Sequence, residues 1–315
     1  VATSLNNLGT VANVQGKYEQ ARRHHERALA IREKTLGVTH PDVAQSLSNL
    51  GNVLSAQGEY EAAELILVRS LRAREQVLGA SHPDVAESLI SLGLVLAAQG
   101  KYDEAELHWQ RALAIVEQAL GADHPYAAVV LANLGGVCRA RGDDEQARRY
   151  YERALGIEEK VLGADHPDLA VVLSNLGAVL GELGDHEQAG RQLQRALQIQ
   201  EKALGADHPE LAYPLDGLAN AALAQGDFAA ARAYAERAVA VREAGKAAPK
   251  LLAEVRFLLA RALWSDPSQR ARAVMLAEQA RQAWVEHGKG EEERLAEVEA
   301  WLRRAGAGDG DVETP

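Results

Sequence analysis

The sequence predicts an all-α solenoid of stacked antiparallel helix pairs, and three observations carry that prediction. The dipeptide His-Pro recurs at His40-Pro41, His82-Pro83, His124-Pro125, His166-Pro167 and His208-Pro209, each 42 residues after the last. A period between about 20 and about 50 residues marks an array whose units cannot bury their apolar faces alone. Within one period the apolar residues fall at helical spacing, as in Val43, Leu47, Leu50, Val53 and Leu54, and again after Gly58 in Tyr60, Ala63, Leu67 and Leu71. No stretch alternates with period two, so no strand competes with this reading.

Each element carries its own start and stop chemistry. Thr39, Ser81, Asp123, Asp165 and Asp207 stand three residues before Asp42, Asp84, Tyr126, Asp168 and Glu210. Four of these five pairs form a capping box with Pro in the first turn, and Tyr126 breaks the pattern. Gly16, Gly58, Gly100, Gly142, Gly184 and Gly226 mark tight turns between paired helices. Gly37, Gly79, Gly121, Gly163 and Gly205 each follow a Leu, where a second helix is expected to end in a left-handed residue.

The chain opens in register with Val43, inside a repeat, which predicts a piece cut from a longer protein. Residues 1–245 read as six helix pairs, the first truncated and the sixth degenerate, with Asp216 and Gly217 replacing the usual residues before Leu218. Residues 246–288 read as a divergent seventh pair, with Trp264 ending its first helix and Asp266-Pro267 opening its second. Residues 289–305 suit a capping helix, since Glu291 to Glu293 and Arg303-Arg304 complement its dipole. Residues 306–315 read as a disordered tail.

Composition removes whole classes of function. Of 315 residues 47% are hydrophobic and only 4% aromatic, and a net charge of -11 argues against phosphate-driven binding of nucleic acid. A single cysteine, Cys138, excludes a disulfide framework and a multi-cysteine metal site, and favours a reducing compartment. No run approaches the roughly 18 apolar residues of a membrane span, and no signal sequence is present, so a cytoplasmic location is expected.

In each unit the spacing of Leu50, Gly51, Tyr60, Ala63 and Ser70, repeated as Leu92, Gly93, Tyr102, Ala105 and Ala112, resembles the tetratricopeptide repeat. The usual period of that family is 34. The 42-residue period, the Leu-Gly-x-x-His-Pro-x-x-Ala signature and the Asn-Leu-Gly run are similar to its kinesin light chain type. The resemblance implies a right-handed superhelix whose concave groove, lined mainly by first helices, binds extended or partly helical peptides.

By the same geometry the residue before each Leu-Gly pair faces that groove: Asn7, Asn49, Ser91, Asn133 and Asn175. A carboxamide offers donors and an acceptor, so such a series suits the backbone of a peptide of any sequence. Asn6, Thr10, Asn13, Gln45, Ser48, Asn52, Glu87, Arg139 and Glu182 are neighbouring candidates; bridging between helices is the competing explanation. The His-Pro histidines fall once per unit, about a helix diameter apart, and suit helix starts instead of a metal. His25 and Cys138 occupy positions held elsewhere by Leu67 and Leu54, which makes them packing residues. Arg22-Arg23, Arg72-Arg74 and Arg148-Arg149 read as a solvated mixed-charge face.

No catalytic residue, cofactor or metal is expected. The leading expectation is a non-catalytic scaffold that captures a protein or peptide segment. The alternatives are a regulatory module of a kinase or nucleotide-hydrolysing protein, and self-association through terminal repeats.

Overall fold

A computed structural model describes residues 1–287 and 290–306. The tail expected over 306–315 lies, from residue 307 onward, outside the described residues. Within them the secondary structure is helical throughout. The chain forms two compact units, Val1–Asp143 and Asp144–Pro315. The first holds α1 (Ala2–Val14), α2 (Tyr18–Leu36), α3 (Pro41–Ala56), α4 (Tyr60–Leu78), α5 (Pro83–Ala98), α6 (Tyr102–Leu120) and α7 (Pro125–Ala140). The second holds α8 (Asp144–Leu162), α9 (Leu169–Glu182), α10 (His186–Leu204), α11 (Ala212–Ala224), α12 (Phe228–Ala244), α13 (Pro249–Leu263), α14 (Arg270–His287) and α15 (Glu292–Gly306).

The first helices α3, α5 and α7 start on histidine, not on the Thr39, Ser81 or Asp123 expected from the capping-box pattern. Proline forces the residue before it into extended backbone, so His40 (φ -64, ψ 141) becomes the cap itself. Its Nδ1 accepts the amide of Asp42 at 3.1 Å. His82, His124, His166 and His208 do the same for Asp84, Tyr126, Asp168 and Glu210 at 3.2 to 3.3 Å. The repeated histidine is thus a hydrogen-bond acceptor for a helix end.

The second helices stop differently from expectation as well. Gly79 has φ 85 and ψ 156, in the mirror-extended region and not the left-handed helical one. A side chain is even less welcome there, and the extended ψ sends the chain straight toward the next first helix.

The Leu-Gly pair explains how closely paired helices cross. A Cβ added at Gly51 would lie 2.6 Å from Cγ of Leu67, and one at Gly93 would lie 2.4 Å from Nε1 of Trp109. In these pairs one residue of the second helix therefore fills the hole left by a glycine on the first. His25 fills that hole at Gly9, and Leu193 fills it at Gly177. In the sixth pair both partners are alanine, Ala219 and Ala235, each fully buried. Where the glycine is lost the large knob is lost with it, as dense packing requires.

Successive second helices are tied by a periodic arginine. Arg69 meets Glu33 at 2.8 Å and Arg111 meets Glu75 at 2.5 Å, while Arg195 and Arg237 meet Glu159 and Glu201 in the second unit. Arg111, Arg195 and Arg237 also donate to the carbonyls of Ala80, Ala164 and Ala206 in the preceding loops. Each exposed pair is worth at most about 1 kcal/mol. The second unit ends in an aromatic cluster in which Phe257 stands edge-on to Trp284 and Trp301 at 6.1 and 6.0 Å.

Candidate interaction face of the first helices

Burying two sides of every first helix leaves one solvent-facing stripe on each. In the first unit it runs through Asn7, Thr10 and Val14 on α1, Gln45, Asn49 and Asn52 on α3, Glu87, Ser91 and Leu94 on α5, and Val129, Asn133 and Gly136 on α7. In the second unit the equivalent positions are Val171, Asn175 and Ala178 on α9 and Tyr213, Gly217 and Asn220 on α11.

In the first unit charge is sorted between the two helix types. α1 carries none, α3 only Asp42, α5 only Asp84 and Glu87, and α7 only Arg139. By contrast α2 alone carries eight charged residues. The first-helix stripe therefore offers amides, hydroxyls and aliphatic carbon to a partner, and few formal charges.

The expected asparagines do not stand alone. Asn49 donates to Oδ1 of Asn6 at 3.0 Å, and the same oxygen lies 3.0 Å from Nδ1 of buried His25. Asn49 accepts in turn from Gln45 at 3.1 Å, and Gln45 accepts from Arg74 at 3.0 Å. Arg74, whose side chain is only 2% exposed, also meets Glu87 at 3.1 Å. It donates further to the Asp84 carbonyl and to Ser88. Arg74 is thus a buried strut between repeats, which corrects the reading of the Arg72-Arg74 stretch as wholly solvated. Arg32 repeats the arrangement one unit earlier, donating to the Asp42 carbonyl and Ser46. Where Val116 replaces the arginine, Val130 replaces the serine, and both are fully buried.

The candidate residues consequently fall into three settings. Asn6 is buried within the network, and Asn13 is half-buried with its Oδ1 enclosed. Asn49, Gln45 and Glu87 are half-buried members of the network, each with part of its side chain at the surface. Asn7 and Asn52 are exposed, while Ser91, Asn133, Arg139 and Asn175 are half-buried; Asn175 accepts from the Tyr213 hydroxyl at 3.4 Å.

Sequence reasoning missed the exposed apolar side chains of the first helices. Leu94, Tyr126 and Val129 in the first unit, and Val171 and Tyr213 in the second, are each 44 to 63% exposed. The signal was present, since Val129 and Val171 stand where Gln45 and Glu87 stand in earlier copies. Periodicity alone assigns such residues to the core.

Burial governs the titration of the groups nearby. His25 is pushed down to about 4 by burial and by neighbouring His24. The Cys138 thiol is raised by burial and nearby Glu106, which makes it a poor nucleophile at neutral pH. Among the described residues no group of three or more His, Cys, Asp or Glu is placed to hold a metal ion. No described helix is long and apolar enough to cross a membrane.

Repeating helix pairs, glycine-hole crossings and a charge-poor first-helix stripe define a helical-repeat protein. The tetratricopeptide repeat model matches residues 1–76, 66–108, 84–160, 145–196 and 168–244, and the chain belongs to that family. A Podosopora anserina kinesin light chain structure of nearly identical TPR-like repeats is similar to it at 24% identity. That match covers 64% of this chain and 96% of the other, with a TM-score of 0.54. BtubC from P. vanneervenii is 22% identical over 77% of this chain and 92% of its own, with a TM-score of 0.59. The apo form of RapI is 16% identical over 84% of this chain and 96% of its own, with a TM-score of 0.61. No curated protein matches the sequence. Tetratricopeptide repeat proteins generally act as protein-interaction scaffolds.

Proposed function

We propose that the chain is a non-catalytic scaffold whose first-helix stripe binds an extended or partly helical protein segment, in the cytoplasm, where a free thiol such as Cys138 persists. The observation that carries this reading is the sorting of charge in the first unit: its second helices hold most of the charge, much of it paired between repeats, while its first helices present amides and aliphatic carbon. Asn7, Asn52, Ser91 and Asn133 supply hydrogen bonds to a backbone. Asn49, Gln45 and Glu87 do so from positions the network holds in place, and Leu94 and Val129 supply the apolar contact. At about 0.5 to 1.5 kcal/mol each, four hydrogen bonds give roughly 2 to 6 kcal/mol. A micromolar complex needs roughly 8 kcal/mol, so the aliphatic positions carry the difference.

The test is selection of binders from a random peptide display library, followed by titration against variants. Leu94→Arg or Val129→Arg should weaken the selected peptides by about tenfold or more, and Asn133→Ala by about fivefold, a hydrogen bond's worth. Peptides that bind all three variants as tightly as the parent would place the site elsewhere.

A second reading, self-association, rests on one face of α1. Leu8 and Val11 are each 53% exposed, whereas their equivalents Leu50 and Val53 are 5% and 1% exposed. A sedimentation mass that rises with concentration and is abolished by Leu8→Glu/Val11→Lys would support it; a concentration-independent monomer would remove it.

A further inference from the structure

The second unit contains a cavity of about 190 Å³ where α11, α13, α14 and α15 meet. Its innermost groups are Asp216, Phe257, Leu258, Arg261 and Trp284, while Asn220, Glu254, Arg294 and Glu297 stand nearer solvent. Three buried polar atoms of this lining have no hydrogen-bond partner among the described residues: Oδ1 of Asp216, Nε of Arg261 and Nε1 of Trp284. Trp284 is only 3% exposed, and the Asp216 and Arg261 side chains are 19% and 16% exposed.

Such groups are costly. A buried donor or acceptor left unmade costs about 1 to 3 kcal/mol, and native proteins rarely gather several in one place. The repeat pattern does not demand a charge there either, since the position of Asp216 holds Asn6, Ser48, Ile90, Ala132 and Ser174 in earlier copies. The lining carries both signs, Asp216, Glu254 and Glu297 beside Arg261 and Arg294. Asp216 is paired to Arg242 behind it, Glu254 to Arg294, and Glu297 to a terminal nitrogen of Arg261 at 3.7 Å, which leaves the Arg261 Nε unpartnered. A lining with an unpartnered acceptor and two unpartnered donors favours neither a lone anion nor a lone cation. It favours a neutral molecule carrying both charges.

We propose that this cavity binds a small amino acid zwitterion, its ammonium against Asp216, its carboxylate on Arg261 and the Trp284 indole N–H, and its side chain against Phe257 and Leu258. The volume holds about six waters at about 30 Å³ each, which limits the ligand to fewer than about ten non-hydrogen atoms. It is below the roughly 300 to 1,000 Å³ of pockets for larger ligands. This site is separate from the first-helix stripe and does not depend on it.

The experiment is calorimetric titration of the whole chain with each standard amino acid, and with amine-only and carboxylate-only analogues of any that bind. Expected is saturable binding of at least one small aliphatic amino acid with a Kd of about 1 mM or tighter. Trp284→Phe, which keeps the ring and removes the donor, should weaken it by about tenfold, as should each single-charge analogue, with unfolding temperatures within a few degrees of the parent. Asp216→Asn provides a second variant should Trp284→Phe fail to fold. Absence of saturable binding by every amino acid would overturn the proposal and leave the cavity to water. Binding indifferent to both variants, or an analogue that binds as tightly as the amino acid, would overturn it too.

Discussion

The two units treat the polar side chain at one repeat position differently. In the first, Arg32 and Arg74 reach into the next repeat and find a carbonyl and a serine waiting at a fixed register. In the second, Glu158, Gln200, Arg242 and Asp216 all retain buried atoms without partners among the described residues. Glu158, Gln200 and Arg242 stand at the sequence position of Arg32 and Arg74. A partner supplied by the next copy survives only while the next copy keeps it. Val172 and Pro214 have replaced the serine opposite Glu158 and Gln200, and the second unit carries the polar side chain without its complement.

The largest expected effect breaks that comparison at its weakest point. Arg242→Met removes the partner of Asp216 and leaves a carboxylate in a buried site, and should cost the second unit about 3 to 5 kcal/mol in urea unfolding at pH 7. Adding Asp216→Leu should recover most of that loss, because two apolar groups replace the whole pair. A double variant no more stable than Arg242→Met alone would show that the arginine acts through packing.

Gly93→Ala comes next. Its new Cβ meets the rigid indole of Trp109, and overpacking of this kind should cost about 1 to 3 kcal/mol. Gly51→Ala combined with Leu67→Ala copies the Ala219 and Ala235 arrangement of the second unit. Its loss should be smaller than the sum of the two single losses. Strict additivity would mean that hole and knob do not act as a pair.

Acidity should move the units in opposite directions. His25 binds its proton near 4 when folded, against 6.5 unperturbed, so between those values the unfolded chain holds the extra proton. The first unit therefore loses stability as pH falls from about 6.5 toward 4. Asp216 is pushed up to about 6 by burial, against the pull of Arg242, from 3.8 unperturbed. Here the folded chain holds the extra proton, so the second unit loses stability as pH rises from about 4 to 6. Urea unfolding at pH 4.5 and 6.5 should show His25→Leu flattening the first slope and Asp216→Asn the second. Unchanged slopes would refute the assignment.

The smallest effect concerns the caps. His82→Ala removes an acceptor for the Asp84 amide and should cost about 1 kcal/mol, whereas His82→Asn should cost less. Equal losses would indicate that the ring contributes by packing.

Much of this molecule was legible before any coordinates. The 42-residue spacing of His-Pro defined the repeat, and glycines at fixed offsets marked both kinds of turn. The cap was displaced by one residue because pattern matching favoured Thr39 and Ser81. The φ of proline and its effect on the preceding residue favour His40 and His82. Candidate site residues were legible as a register but not as a surface. Asn6 and Asn49 differ by one step in their repeats, yet one is buried under a histidine and the other reaches the stripe.

By itself the sequence determined what repeats: helix pairs, their ends, the glycine holes and the absence of charge on α1. These are local or periodic properties, and periodicity brings each residue to equivalent neighbours. The tertiary structure alone decided which polar side chains find partners, that Arg74 is buried, that Leu94 and Val129 lie exposed, and that α11, α13, α14 and α15 enclose a cavity lined by Asp216 and Trp284. Those outcomes depend on contacts between residues far apart in sequence, where the 42-residue rule no longer predicts what stands opposite.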